Sequence, residues 1–303
     1  MQGAYLSLLY LDLIITISPT HGATFLRVRG RNVGIAEYGS PQGWPLLLFQ
    51  GAPTSRLPHN PLETRAGARI IVVERPGYGG SDFLPGRSLR EFPNDVSAIV
   101  AQLNIARFSV VGVSAGGPHA LACGAHPIAE RIVRIGVVSG VGPFDAPEAM
   151  RGMSRSRRVG AFLAAHAPFV LRPLFWAIRN PSRNPERFVD RHSEGFSASD
   201  LAMLRDPAMR ALRIRSYAEA TRPGVRGFAH EAAMLARPWG FELGDVTPEV
   251  CLWHGEDDAS TPVTMARHVA AALPRCRAVY YPGEGHFVAA RHWDEIVSAL
   301  APA

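Results

Sequence analysis

Three residue types able to carry nucleophilic acyl chemistry follow one another along this chain in the order serine, acid, histidine. The serine is Ser114, in the run VVGVSAGGPHALACG at residues 110–124, where an apolar stretch ends abruptly between Gly112 and Gly116. A hydroxyl is a poor nucleophile until a base takes its proton, and that base needs an acid to orient it. GEGHFV offers His286 as the base, on a glycine-rich turn after an apolar run. WHGEDDASTP offers the acid at another strand end, as Glu256, Asp257 or Asp258. The other histidines lack this placement: His119 and His126 fall on the helix expected after Ser114, His254 inside a strand end, and His292 on the last helix.

The elements around these residues explain how they could meet. Gly112, Val113, Ser114, Ala115 and Gly116 form G-x-S-x-G between a buried strand and a helix, the setting of a nucleophile elbow. The two glycines let strand and helix pass close to the turn, and the Ala115 N–H at the helix N-terminus can face a developing oxyanion. Upstream, ATFLRVRG and NVGIAEYG alternate as a hairpin, while PLLLFQG and RIIVVERPG are continuous apolar runs ending in Gly or Pro. Such runs indicate strands buried on both faces, the habit of parallel sheets. Residues 88–103 read as an amphipathic helix capped by Ser88 with Glu91 three places on.

Strand and helix alternate through residue 143, stop for about a hundred residues of helical pattern, and resume from residue 244. The expected architecture is therefore α/β: a mostly parallel central sheet flanked by helices, with right-handed crossovers and a helical cap inserted on the loop side. The boundaries read as an N-terminal extension at 1–22, a core at 23–143 and 244–303, and a cap at 144–243.

Composition narrows the function class. With 47% hydrophobic and 19% charged residues, the chain is an ordinary globular protein rather than a disordered or fibrous one. The formal charge is +6 and all 32 basic residues are arginine, mostly scattered singly, so no nucleic-acid face is expected. Cys123, Cys251 and Cys276 are too few and too widely spaced for a disulfide framework or a zinc site, which points to a reducing compartment. The apolar run AYLSLLYLDLIITIS at residues 4–18 lacks a positive leader and carries Asp12. It reads as an extension packed on the body or a start assigned too early, with export as the alternative to a cytoplasmic location. No stable membrane insertion is expected, and a homodimer is possible.

Taken together, FQGAPTSR, ERPGYGGSD, GVSAGGP, PWGF, HGEDDASTP and GEGHF resemble the α/β-hydrolases of the capped, HGxP-bearing kind. That group includes esterases, proline iminopeptidases, epoxide hydrolases and haloalkane dehalogenases. The resemblance runs from residue 23 to the C-terminus and selects Asp258 as the acid, with Asp257 and Glu256 behind it and Asp145 a distant alternative. It also implies the Ala52 N–H as the second oxyanion donor beside Ala115. One departure is Gln50 where the family has histidine in the oxyanion loop.

A serine at position 114 argues against the alkyl-ester chemistry of the dehalogenases and epoxide hydrolases, which use aspartate there. Hydrolysis of a small-molecule ester or amide through Ser114, Asp258 and His286 is the expected activity, and it calls for no metal or organic cofactor. The cap supplies Phe162, Phe169, Leu171, Leu174, Phe175 and Trp176, most of them expected to bury it against the core. Gln50, Phe175, Trp176 and Phe287 are the expected substrate contacts. An aminopeptidase would need a cap carboxylate for the substrate amine, among Glu186, Asp190, Glu194, Glu219 and Glu231. A slow-turnover receptor or a lyase on the same fold is the other alternative.

Overall fold

The computed structural model describes residues 23–57, 67–146, 148–178, 184–193 and 196–302. The apolar run at residues 4–18 and the cap candidate Glu194 lie outside them. Eight strands form one sheet in the order β1-β2-β4-β3-β5-β6-β7-β8. β1 (Ala23–Val28) and β2 (Arg31–Gly39) form the antiparallel hairpin, and β2 also runs antiparallel to β4 (Arg69–Val73). From β4 onward every neighbouring pair is parallel: β3 (Pro45–Phe49), β5 (Phe108–Val113), β6 (Ile132–Val138), β7 (Glu249–Gly255) and β8 (Cys276–Tyr281).

The continuous apolar runs are buried because both faces of the sheet are covered. Alternate residues feed opposite cores, as the two-residue period of a strand requires. Leu47, Phe49, Ile71, Val73 and Val110 join one cluster with α1 (Phe92–Gln102), α2 (Gly116–Gly124) and α9 (Val263–Ala272). Leu46, Leu48, Ile70, Val72 and Val111 join the other, with α10 (Val288–Arg291) and α11 (Trp293–Leu300). The expected helix at residues 88–103 begins as a 3-10 turn, Leu89–Glu91, where the Ser88 N–H and hydroxyl both donate to the Glu91 carboxylate.

Between β6 and β7 the described residues form six α-helices: α3 (Arg155–His166), α4 (Leu171–Ile178), α5 (Pro185–His192), α6 (Ala198–Leu204), α7 (Pro207–Ala220) and α8 (Arg226–Leu235). Prolines divide the helical pattern at two places. Pro168 holds Ala167 out of the helical region, at φ −135°, and the chain bends 116° between α3 and α4. At Pro207 the Asp206 carboxylate accepts from the Ala208 and Met209 N–H groups and starts α7 afresh. Among the described residues, no single helix is long and apolar enough to cross a membrane.

Candidate active site

Ser114 sits at the junction of β5 and α2 with φ +53°, a left-handed conformation that an L-residue adopts only when its surroundings hold it there. Its N–H donates to the Val138 carbonyl (2.9 Å), and its carbonyl accepts from Gly117 (3.0 Å) and Val141 (3.1 Å). A Cβ on Gly116 would strike the Phe49 carbonyl, and one on Gly112 would strike the Gly116 carbonyl, so both flanking positions exclude side chains. The loop after β3 crosses directly above: a Cβ on Gly51 would lie 3.2 Å from that of Ser114.

His286 stands on the loop between β8 and α10. Its Nδ1 lies 2.7 Å from Asp258 Oδ2. Asp258, only 4% exposed, also accepts from the Ser260 and Thr261 N–H groups (2.8 and 3.0 Å) and the Thr261 hydroxyl (2.8 Å). Burial alone would raise its pKa. The charge and hydrogen bond of His286, together with His254 and the Thr261 N–H, instead bring it down to about 2. The neighbouring acids are placed differently: Asp257 is exposed and Glu256 pairs with Arg267 at 2.8 Å. Asp145 is exposed on the segment after β6.

The histidine loop is held from the inserted helices. Asp200 of α6 accepts the His286 N–H (2.8 Å) on one oxygen and the Phe287 N–H (2.9 Å) on the other. Ser199 Oγ accepts from the Gly285 N–H at 3.1 Å. A Cβ on Gly285 would collide with the Asp200 and Ser197 side chains, which explains the glycine there.

A second tie joins the insertion to the loop above Ser114. Arg75, buried after β4, donates to the carbonyls of Gln50 and of Gly51 (3.0 Å) and is gripped by both oxygens of Glu231 from α8 (2.9 and 2.7 Å). Arg87 donates to the same Glu231 at 2.9 Å and approaches His119 Nε2 at 3.3 Å. His119 Nδ1 lies 2.9 Å from the Ala115 carbonyl. Burial is the largest influence on His119 and takes its pKa down to about 3, so the ring is neutral. With Nε2 facing the arginine, Nδ1 carries the proton and donates to Ala115. Glu231 is held below the usual carboxylate range: burial opposes this, but the charges of Arg75 and Arg87 and the Arg75 hydrogen bonds outweigh it. Neither the Ala52 nor the Ala115 N–H has a hydrogen-bond partner among the described residues.

Ser114, Ala52, Ala115 and His286 line one cavity of about 250 Å³, which residues of the insertion also line. A family model described as the alpha/beta hydrolase fold matches residues 44–292.

The chain is an alpha/beta hydrolase.

Solved members of this fold lie close to it in structure. An esterase from Rhodococcus sp. is 21% identical, with TM-score 0.64 over 92% of this chain and 95% of that one. An enol-lactonase from Burkholderia xenovorans is 18% identical, with TM-score 0.67 over 91% and 98%. A bromoperoxidase from Bacillus anthracis is 20% identical, with TM-score 0.69 over 92% and 98%. At these identities the likeness is one of fold.

Of the expected substrate contacts in this hydrolase, Phe175 and Phe287 line the cavity, Phe175 stacked on Phe228 at 4.4 Å. Trp176 does not. On α4, Leu171 and Phe175 lie four residues apart and turn inward, which leaves Trp176 pointing outward at 53% exposure. Phe162 and Phe169 are exposed as well (60% and 78%), not buried against the core. Gln50 is buried but does not line the cavity. Sequence reasoning also missed Thr261, Asp200, Arg75 and Arg213. Arg75 and Thr261 carried a signal, inside ERPGYGGSD and HGEDDASTP; Asp200 and Arg213 carried none. Among the described residues, no cluster of His, Cys, Asp and Glu could hold a metal ion.

Proposed function

We propose that this alpha/beta hydrolase cleaves carboxylic esters through an acyl-enzyme on Ser114. The observation that carries the reading is the 2.7 Å contact between His286 Nδ1 and Asp258, made by a histidine that lines the same cavity as the strained serine. With Nδ1 committed to the acid, Nε2 is left to take the serine proton. Ser114 Oγ attacks the carbonyl, and the oxygen that gains charge is met by the Ala52 and Ala115 N–H groups. His286 then returns the proton to the departing alcohol. A water activated by the same imidazole attacks the acyl-serine, and the second collapse frees the acid and restores Ser114.

The inserted helices act in this reading as a lid. They position the site through Asp200 and Glu231 and wall an apolar space for the acyl group with Phe175 and Phe228. One observation favours an ester over the free amine of a peptide. Glu231 is the only carboxylate among the described residues lining the cavity, and Arg75 and Arg87 already engage both of its oxygens. Glu219 is likewise paired with Arg56 and Arg222, and Asp190 with Arg210.

Turnover of p-nitrophenyl esters of rising acyl length, with Ser114→Ala as control, tests the proposal. Many turnovers lost in the variant support it. A single slow turnover, or none, overturns it in favour of a receptor.

A further inference from the structure

We propose that the substrate carries a carboxylate and that Arg213 receives it. The inference deepens the serine-hydrolase reading and rests on it for the bond that is cleaved. Four arginines are buried among the described residues: Arg56, Arg75, Arg87 and Arg213. Three have carboxylate partners at 2.7 to 2.9 Å, namely Glu74 and Glu219 for Arg56, and Glu231 for Arg75 and Arg87. Arg213 has none. It is 5% exposed, makes no hydrogen bond or ion pair with any described residue, and its Nε is enclosed without an acceptor.

A guanidinium cannot shed its proton, so a buried one must be paired or sit where a partner arrives. Arg213 lines the active-site cavity. Its guanidinium lies 3.7 Å from the ring centroid of Phe287, the residue that follows His286. That stacking returns part of the lost hydration and holds the planar fork in one orientation, but it offers no acceptor. The nearby acid does not compete, because Glu231 is saturated by two other arginines. The fork suits a carboxylate, which it binds by two parallel hydrogen bonds. An ester or lactone bearing a second, ionised carboxyl group would complete the pair on binding.

The test separates recognition from turnover. Binding of monomethyl adipate and of dimethyl adipate to Ser114→Ala is compared by calorimetry, then repeated with Arg213→Met and Arg213→Lys added. Turnover of mono-p-nitrophenyl adipate and p-nitrophenyl hexanoate is compared in the wild-type protein and in the two Arg213 variants. The expected result is preference for the charged member of each pair. That preference should fall roughly 30-fold or more in Arg213→Met, the range for truncating one partner of a buried charge pair, and recover partly in Arg213→Lys.

Equal binding of charged and neutral ligand by the Ser114→Ala protein overturns the inference without any Arg213 variant having to fold, and leaves ester hydrolysis standing. Charge-selective binding with no Ser114-dependent turnover overturns the hydrolase reading instead and upholds Arg213 as an anion site.

Discussion

Glu231 grips Arg75 through two hydrogen bonds of 2.9 and 2.7 Å, and both side chains are shut away from solvent. The pair joins an inserted helix to the loop above Ser114, because Arg75 also donates to the carbonyls of Gln50 and Gly51. Through Arg87 and His119 the same carboxylate reaches the Ala115 carbonyl on the other side of Ser114. Both proposed oxyanion donors are thus oriented from one buried charge.

Replacing that charge should therefore act on kcat more than on KM. In Glu231→Gln the two arginines lose their counter-charge and the loop loosens, without any cavity group leaving. Losing one oxyanion donor outright costs about 2.7–4 kcal/mol, and a displaced donor should cost less, so a kcat loss of roughly 10- to 100-fold is expected. Stability should fall too, by about 3–5 kcal/mol for a broken buried pair. Steady-state kinetics and urea unfolding on the same preparation check both. A KM change alone would place Glu231 in ground-state binding.

Asp200 offers a parallel case on the histidine side. Asp200→Ala leaves the His286 and Phe287 N–H groups without acceptors, each costing about 1–3 kcal/mol if it stays buried. His286 should lose its register against Asp258, lowering kcat about tenfold or more through misplacement of the base. Asp200→Asn keeps one acceptor oxygen and should fall between the wild type and alanine. Identical kinetics for all three would remove Asp200 from the positioning machinery.

The acid limb of stability follows from Asp258. Its folded pKa of about 2 lies below its ordinary 3.8, so the carboxylate stabilises the fold at pH values above 3.8. That contribution, roughly 2 kcal/mol, is lost as pH falls through the window from 3.8 to about 2. Unfolding free energies measured from pH 6 to pH 2 should drop more steeply for the wild type than for Asp258→Asn. Equal slopes would mean that the His286 contact leaves Asp258 unshifted.

Adjacent aromatics should behave oppositely. Phe175→Ala removes a buried ring from the cavity wall, with an expected cost of about 3–5 kcal/mol and a shift toward longer acyl chains. Trp176→Ala removes an outward-facing ring and should change stability by less than about 0.5 kcal/mol. Melting curves and the acyl-length profile of each variant separate the two.

These contrasts show what the chain made legible. The strands and the elbow stood out because burial on both faces leaves uninterrupted apolar runs, and because a cramped turn demands Gly112 and Gly116 around Ser114. Asp258 and His286 stood out because strand ends carry them in recognisable local company. Phe175 and Trp176 could not be told apart, since one residue of helical register decides which faces inward. Asp200 and Glu231 were harder still. They act on groups 86 and 156 residues away, and each sits in an ordinary amphipathic helix with no local mark. Arg213 is conspicuous only once every other buried arginine is seen to have a carboxylate.

The most direct test of the central claim is to react the protein with one equivalent of a fluorophosphonate and follow the site of labelling by peptide mass spectrometry alongside residual esterase activity. Modification of Ser114 alone, with turnover lost in proportion, is the predicted result. Labelling elsewhere, or turnover that survives complete modification of Ser114, would contradict it.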